Sequence, residues 1–217
     1  MSMKLGIIGF GGMGKFHSKQ APKAGVTVIG AADIKEERVQ EAIEAGIKGY
    51  HSADELLADP EINTVILTVP NHLHKEMAIK AAKAGKNVIT EKPAALNVAE
   101  LDEMTKACEE AGVCFTTHQN RRWDRDMLTV KKAYETGMLG KVFTIESRLH
   151  SGNGYMHEWH LYKKYGGGMM YDWGVHLIDQ ILFMMPDAKV KTVFADLKNV
   201  LHEEVDDYFK IILKMDN

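Results

Sequence analysis

Short apolar runs, each too brief for a helix and bounded by glycine, proline or asparagine, recur through the first half of the chain. They are Leu5-Gly-Ile-Ile8, Val26-Thr-Val-Ile-Gly-Ala-Ala32, Thr64-Val-Ile-Leu-Thr-Val69, Asn87-Val-Ile-Thr90 and Val113-Cys-Phe-Thr-Thr117. Runs of this length and β-branched content predict buried strands. Helical stretches separate them. One follows the first glycines, another covers Glu36 to Ala45, and Tyr50 with Asp54 to Ala58 predicts a short strand and helix. Asn71 is placed to cap a helix running to about Ala84, and Asn97 to cap one ending near Gly112. Strands alternating with helices to about residue 118 predict an α/β fold, a doubly wound parallel sheet of six strands over residues 1–120.

Past residue 120 the pattern changes. A helix from about Asp126 to Thr136 ends at Gly137, and Lys141 to Arg148 alternates like a strand with one wet face. Gly166, Gly167 and Gly168 precede a helix through Met185, and strands are expected near Lys189 to Val200 and Asp206 to Met215. Long strands without helical crossovers suggest a second domain, 121–217, built on an antiparallel sheet. Its last strand would need cover from another chain or from further residues.

The first strand runs into Gly9-x-Gly11-x-x-Gly14, with a helix beginning at once. Gly9 turns the chain, Gly11 lets backbone approach a pyrophosphate, and Gly14 lets helix pack on strand. The helix start offers free N–H groups to phosphate. Asp33 closes the second strand, nineteen residues past Gly14, where a carboxylate would meet ribose hydroxyls. A carboxylate there argues for NAD, and Lys35 nearby leaves NADP possible.

Lys92 follows the fifth strand, so it falls at the carboxyl edge of the sheet, where an ammonium could hold a substrate oxygen. A solvated loop lysine is the plainer alternative. Asp172 and His176 are four apart in an expected helix and so share a face, an arrangement suited to a histidine base with an orienting carboxylate. A helix cap and a core histidine are the plainer alternatives. Pro70, Asn71, His72 and His74 lie at the end of the fourth strand, where Asn71 or His74 could touch ribose or nicotinamide. Arg121 and Arg122 could hold an anion or simply sit in a solvated junction.

The totals narrow the classes. Lys+Arg of 27 against Asp+Glu of 30 gives −3, so no bulk field favours nucleic acid or an acidic membrane. No apolar run reaches the roughly 18 residues of a membrane span, and the N-terminus runs straight into a strand without a signal pattern. Cys108 and Cys114 lack a metal or redox spacing, and Cys114, between Val113 and Phe115, reads as core. His72 with His74, and His150, His157 and His160, lack ligand spacing, so no metal is expected. A cytoplasmic enzyme is the expectation.

As a set, Gly9-x-Gly11-x-x-Gly14, Asp33, Pro70-Asn-His-Leu-His74, Glu91-Lys-Pro93, Asn120-Arg-Arg122 and Gly166-Gly-Gly-x-x-x-Asp172-x-Gly174-x-His176 resemble the Gfo/Idh/MocA oxidoreductases, which include glucose–fructose oxidoreductase and inositol dehydrogenases. The resemblance implies a Rossmann domain followed by an α/β domain with a mostly antiparallel sheet. It also implies Lys92, Asp172 and His176 as catalytic residues, with Trp159 joining them at the substrate. Cofactor-binding residues would be Gly9, Phe10, Gly11, Gly12, Met13, Gly14, Asp33, Pro70, Asn71, His74, Glu91, Lys92, Asn120 and Arg121. The implied reaction is hydride transfer between nicotinamide and a secondary hydroxyl of a sugar, inositol or related polyol, by a homo-oligomer. An NAD-dependent glycoside hydrolase and a non-catalytic dinucleotide sensor are the alternatives. Two departures stand out. Relatives often carry Trp-Arg where this chain has Trp159-His160, and their C-terminal sheet continues past the position of Asn217.

Overall fold

The computed structural model describes residues 2–150, 156 and 158–216, so that His157 and Asn217 lie outside the described residues. The chain divides into two compact units, Met1–His118 and Gln119–Asn217.

In the first unit the strands are β1 (Lys4–Ile8), β2 (Thr27–Ala32), β3 (Lys48–Tyr50), β4 (Thr64–Leu67), β5 (Asn87–Thr90) and β6 (Phe115–Thr117). They form one sheet in the order β3-β2-β1-β4-β5-β6, every neighbouring pair parallel. The helices are α1 (Gly12–Gln20), α2 (Glu36–Glu44), α3 (Ala53–Ala58), α4 (His74–Lys83) and α5 (Val98–Glu110). All four residues of β4 are buried, because both faces of a parallel sheet are covered by helices. Side chains alternate between two cores. Val65, Leu67, Val88, Leu56 and Met104 pack on one face, and Ile7, Ile66, Phe10 and Ala31 on the other. Each buried Val, Leu, Ile, Phe or Met among them contributes about 1.5–3 kcal/mol. The strand order reverses between β1 and β4, and ligands bind such sheets in the crevice outside the carboxyl ends at that point.

Local signals acted largely as expected. The Asn97 side chain accepts the Glu100 N–H at 3.0 Å to cap α5, and Ser52 accepts the Glu55 N–H at 3.2 Å to cap α3. Asn71 departs from expectation. It begins a 3-10 turn, Asn71–Leu73, and α4 starts only after that turn, so Asn71 lies within the chain reversal that follows β4 and not at the helix cap. Cys114 is also corrected: it is exposed, while Cys108 on α5 is buried. Val113 and Phe115 turn inward, and the alternation of extended backbone turns Cys114 out.

The second unit contains α6 (Arg125–Glu135), a π-helical turn Met170–Gly174, α7 (Val175–Met184), and the antiparallel pair β7 (Val190–Lys198) and β8 (Tyr208–Met215). The expected strand over Lys141 to Arg148 does not form. Among the described residues β7 and β8 pair only with each other, so that segment has no ladder partner, and its Phe143 is 93% exposed. The expected long helix through Met185 is two pieces, and its first turn is the wider π form, a feature frequent at functional sites. Among the described residues no helix is long and apolar enough to cross a membrane.

Candidate functional site

The glycines after β1 are required for separate reasons. Gly9 has φ +98°, a left-handed conformation, and its N–H donates to the Ala32 carbonyl at 2.8 Å. A Cβ on Gly9 would lie 2.7 Å from the Thr68 carbonyl oxygen, and one on Gly14 would lie 2.2 Å from the Gly9 carbonyl oxygen. Gly11 differs, for the nearest atoms a Cβ there would meet are those of the Arg38 guanidinium, at 3.6 Å or more, and one on Gly12 would meet nothing within 4 Å. The protein's own packing leaves that face of the turn open. Gly11 is also the N-cap of α1 and has no side chain to occupy the first helical N–H groups. Uncapped amides, a dipole end and open space suit a pyrophosphate.

Asp33, at the end of β2, turns its carboxylate into this site. Oδ2 accepts the Phe10 N–H at 2.8 Å and Oδ1 accepts the Lys35 N–H at 3.0 Å. The Arg38 guanidinium donates to Oδ2 at 3.3 Å. The Phe10 side chain is core, so it joins the turn only through its backbone, while Met13 is 41% exposed on α1. Arg38 escaped the sequence reading. Its position two residues into α2 gave the only hint.

The turns after β4 and β5 carry the next group, at the same edge of the sheet. Pro70 and Asn71 follow β4, and Lys92 follows β5 and is half-buried. His74 is fully buried, with Nδ1 2.8 Å from the Pro93 carbonyl and Nε2 3.0 Å from the Val69 carbonyl. Burial pushes its pKa down, against the carbonyls that raise it. The His74 ring thus lies between two loops, with both nitrogens turned to protein carbonyls. Glu91 is also turned toward protein. It is 6% exposed, and its carboxylate meets His17 Nε2 at 2.6 Å, His118 Nδ1 at 3.0 Å and the Lys92 N–H at 3.3 Å. Burial raises its pKa, but the hydrogen bonds and charge of His118 and His17 outweigh that and hold it at about 2. Among the described residues this trio alone has ligand-like spacing for a metal, yet its atoms already sit at hydrogen-bonding distance from one another. His17 and His118 were missed. His17 falls on the inward face of α1, three residues past Gly14.

In the second unit, Asn120 opens the 3-10 turn Asn120–Trp123. The Arg121 guanidinium lies 4.1 Å from the Trp173 ring centroid and donates to Asp124 at 3.0 Å. Arg122 makes a two-pronged bond to Asp179, at 2.8 and 2.6 Å, so its guanidinium is engaged by protein. Trp159 stacks on His160, with centroids 3.7 Å apart. Asp172 lies in the π-helical turn and His176 in the first turn of α7, 4% exposed and edge-on to Trp173 at 5.8 Å. Gly167 and Gly168 are required by the packing of the chain itself. A Cβ on Gly167 would lie 2.2 Å from the His160 carbonyl oxygen, and one on Gly168 would lie 2.4 Å from Asp206 Oδ1. Asp206, also missed, accepts the Met170 N–H at 2.7 Å through its carboxylate and the Met169 N–H at 2.8 Å through its carbonyl. It thereby ties the start of the π-helical turn to the residue pair before β8.

The first unit thus defines a Rossmann dinucleotide-binding domain: the strand order, the glycine turn and the terminal carboxylate agree. Residues 3–119 match the oxidoreductase family with an NAD-binding Rossmann fold, and residues 127–217 match the GFO/IDH/MocA C-terminal domain. The chain belongs to the Gfo/Idh/MocA oxidoreductase family. It is 33% identical over 208 residues to myo-inositol 2-dehydrogenase of Thermotoga maritima, covering 94% of this chain and 60% of that protein. It is 34% identical over 221 residues to scyllo-inositol 2-dehydrogenase (NADP(+)) of Bacillus subtilis, covering 98% of this chain and 60% of that one. The crystal structure of an NAD-binding protein from Listeria innocua superposes with a TM-score of 0.96 at 40% identity, covering 100% of this chain and 64% of that chain. The chain therefore spans about three-fifths of the length of these relatives.

Proposed function

We propose that the protein is an NAD-dependent dehydrogenase acting on a secondary hydroxyl of a sugar, inositol or related polyol. The observation that carries this reading is the lysine at the sheet edge: Lys92 lies two residues past the end of β5, on the same edge as the glycine turn after β1 and Asp33 after β2. Gly11, Gly12 and the first amides of α1 would hold the pyrophosphate, and Asp33 the adenosine ribose. Bound NAD supplies the hydride acceptor. The Lys92 ammonium holds the reacting oxygen and stabilises negative charge on it as the hydroxyl proton leaves. His176 takes that proton, with Asp172 orienting the substrate and favouring the protonated imidazole. Pro70, Asn71, Asn120 and Arg121 complete the proposed cofactor contacts, and Trp159 the substrate contacts. Two relatives named as inositol dehydrogenases support this substrate class.

NADP is a second cofactor reading, favoured by the Arg38 guanidinium beside Asp33, since an arginine at this position suits a 2′-phosphate. Self-association belongs to the same proposal, supported by the exposed Val193, Phe194, Leu197 and Ile212 of the two-stranded sheet.

The experiment is NADH or NADPH formation, followed by absorbance, with each cofactor and a panel of inositols, polyols and sugars. Reduction with one substrate class is expected, and Lys92→Ala or His176→Ala should lower kcat by about 10² or more. Full activity in His176→Ala would remove it from the reaction. NAD binding without reduction by any panel member would overturn the dehydrogenase in favour of a hydrolase or a sensor.

A further inference from the structure

Glu91 is a buried acid with three donors converging on it from separate parts of the first unit. His17 reaches it from α1, His118 from the residue that follows β6, and the Lys92 N–H from the turn after β5. An ionised carboxylate only accepts, so its bonds fix both rings: His17 carries its proton on Nε2 and His118 on Nδ1. The two imidazoles bond one oxygen, Oε1, and stand edge to face at 4.7 Å, while the other oxygen takes the Lys92 N–H. The flanking backbone is tied as well. The Glu91 N–H donates to the Leu67 carbonyl at 3.1 Å and the His118 N–H to the Thr90 carbonyl at 2.8 Å.

A buried carboxylate is costly unless fully paired, and a hydrophobic residue would fill the same space at lower cost. The pairing here does something packing alone would not. It links the helix that follows the glycine turn to the backbone of the lysine placed in the reaction. We propose that Glu91, clamped by His17 and His118, is a positioning residue that sets the backbone of Lys92 and hence the reach of its ammonium. The proposal rests on the reading that Lys92 acts on the substrate oxygen. It adds that His17 and His118 act on the same reaction through Glu91, without touching substrate.

The test uses the 217-residue chain and needs no substrate for its first part. Amide hydrogen exchange of Lys92 is measured by NMR in wild type, His17→Leu, His17→Gln and Glu91→Leu. Protection of the Lys92 amide should fall at least tenfold in both leucine variants, with β1 and β4 amides unchanged. It should return in His17→Gln, whose amide N–H can stand where Nε2–H stood. Unchanged protection in His17→Leu overturns the proposal. So does loss of protection across the whole sheet, because the trio would then serve the fold at large.

The second part compares kcat with the dissociation constant of NADH. His17→Leu should lower kcat at least tenfold with NADH binding within twofold of wild type, and His17→Gln should recover most of it. Lys92→Ala separates the two ideas. If its kcat is unchanged while the exchange results hold, the role given to Lys92 fails and the clamp stands. If its kcat collapses while that of His17→Leu does not, the clamp alone fails.

Discussion

The Asp33 carboxylate accepts the Phe10 N–H at 2.8 Å, joining the end of β2 to the glycine turn that follows β1. That bond, together with those from Lys35 and Arg38, makes Asp33 a brace for the turn, and the proposed function also gives it the ribose. Asp33→Ala would remove both functions and leave the Arg38 charge without its partner. NAD affinity should fall tenfold or more, about 1.4 kcal/mol, as measured by quenching of tryptophan fluorescence. Asp33→Ala with Arg38 intact should also narrow the preference for NAD over NADP, since the carboxylate that repels a 2′-phosphate is gone.

Gly14 has the tightest environment in the turn. Gly14→Ala would put a methyl group 2.2 Å from the Gly9 carbonyl oxygen and 3.3 Å from Ile7 Cγ2, against backbone that cannot rotate away. The helix must lift off the strand or the turn must open. Either response destabilises the first unit by about 1–3 kcal/mol and moves the uncapped amides of α1. Gly12→Ala is the control, because nothing lies within 4 Å of its added Cβ. Denaturant melts should separate the two variants clearly, and a Gly14→Ala chain as stable as Gly12→Ala would contradict the packing described.

Glu91 predicts an acid limb to stability. Its folded pKa, about 2, is below the ordinary 4.5, so between those values the unfolded chain binds more protons and stability rises with pH. The contribution is complete above the ordinary value and is lost as pH falls toward the folded one. It amounts to a few kcal/mol. Glu91→Gln cannot titrate, so its melting temperature should fall less steeply than that of wild type from pH 5 to 3. Parallel slopes would show that other carboxylates set the acid limb.

The parallel sheet was legible because short β-branched runs such as Thr64–Val69 alternate with helical stretches, and the two-sided burial of β4 follows from Val65, Ile66 and Leu67. The glycine turn and Asp33 were legible because backbone geometry leaves few other residues possible there. His17, His118 and Asp206 were not legible, for their roles depend on residues 74, 27 and 36 positions away in sequence, and no local pattern encodes such meetings. The segment from Lys141 to Arg148 misled for the same reason. Alternation describes what a strand could bury, but a strand also needs a neighbour for its backbone. His74 and Glu91 were placed at the right sheet edge, yet burial turned both toward protein.

Asp206 provides a prediction that separates hydrogen bonding from charge. Its carboxylate accepts the Met170 N–H at 2.7 Å and so holds the turn that carries Asp172. Burial raises its pKa above the ordinary 3.8, against the lowering effect of that N–H, and the neighbouring Asp207 adds to the rise. The folded chain therefore binds more protons just above that value, and stability from this group is greatest below it and is lost as pH rises through the folded pKa. Asp206→Asn keeps an oxygen for Met170 and removes the charge, so the folded chain should be as stable as wild type at neutral pH and lack this pH dependence. Asp206→Ala keeps neither. It should lose about 1–3 kcal/mol and, in the turnover assay, lower kcat through the displaced Asp172 and His176. If Asp206→Asn and Asp206→Ala behave alike in melts and in turnover, the Met170 bond is not what holds the turn.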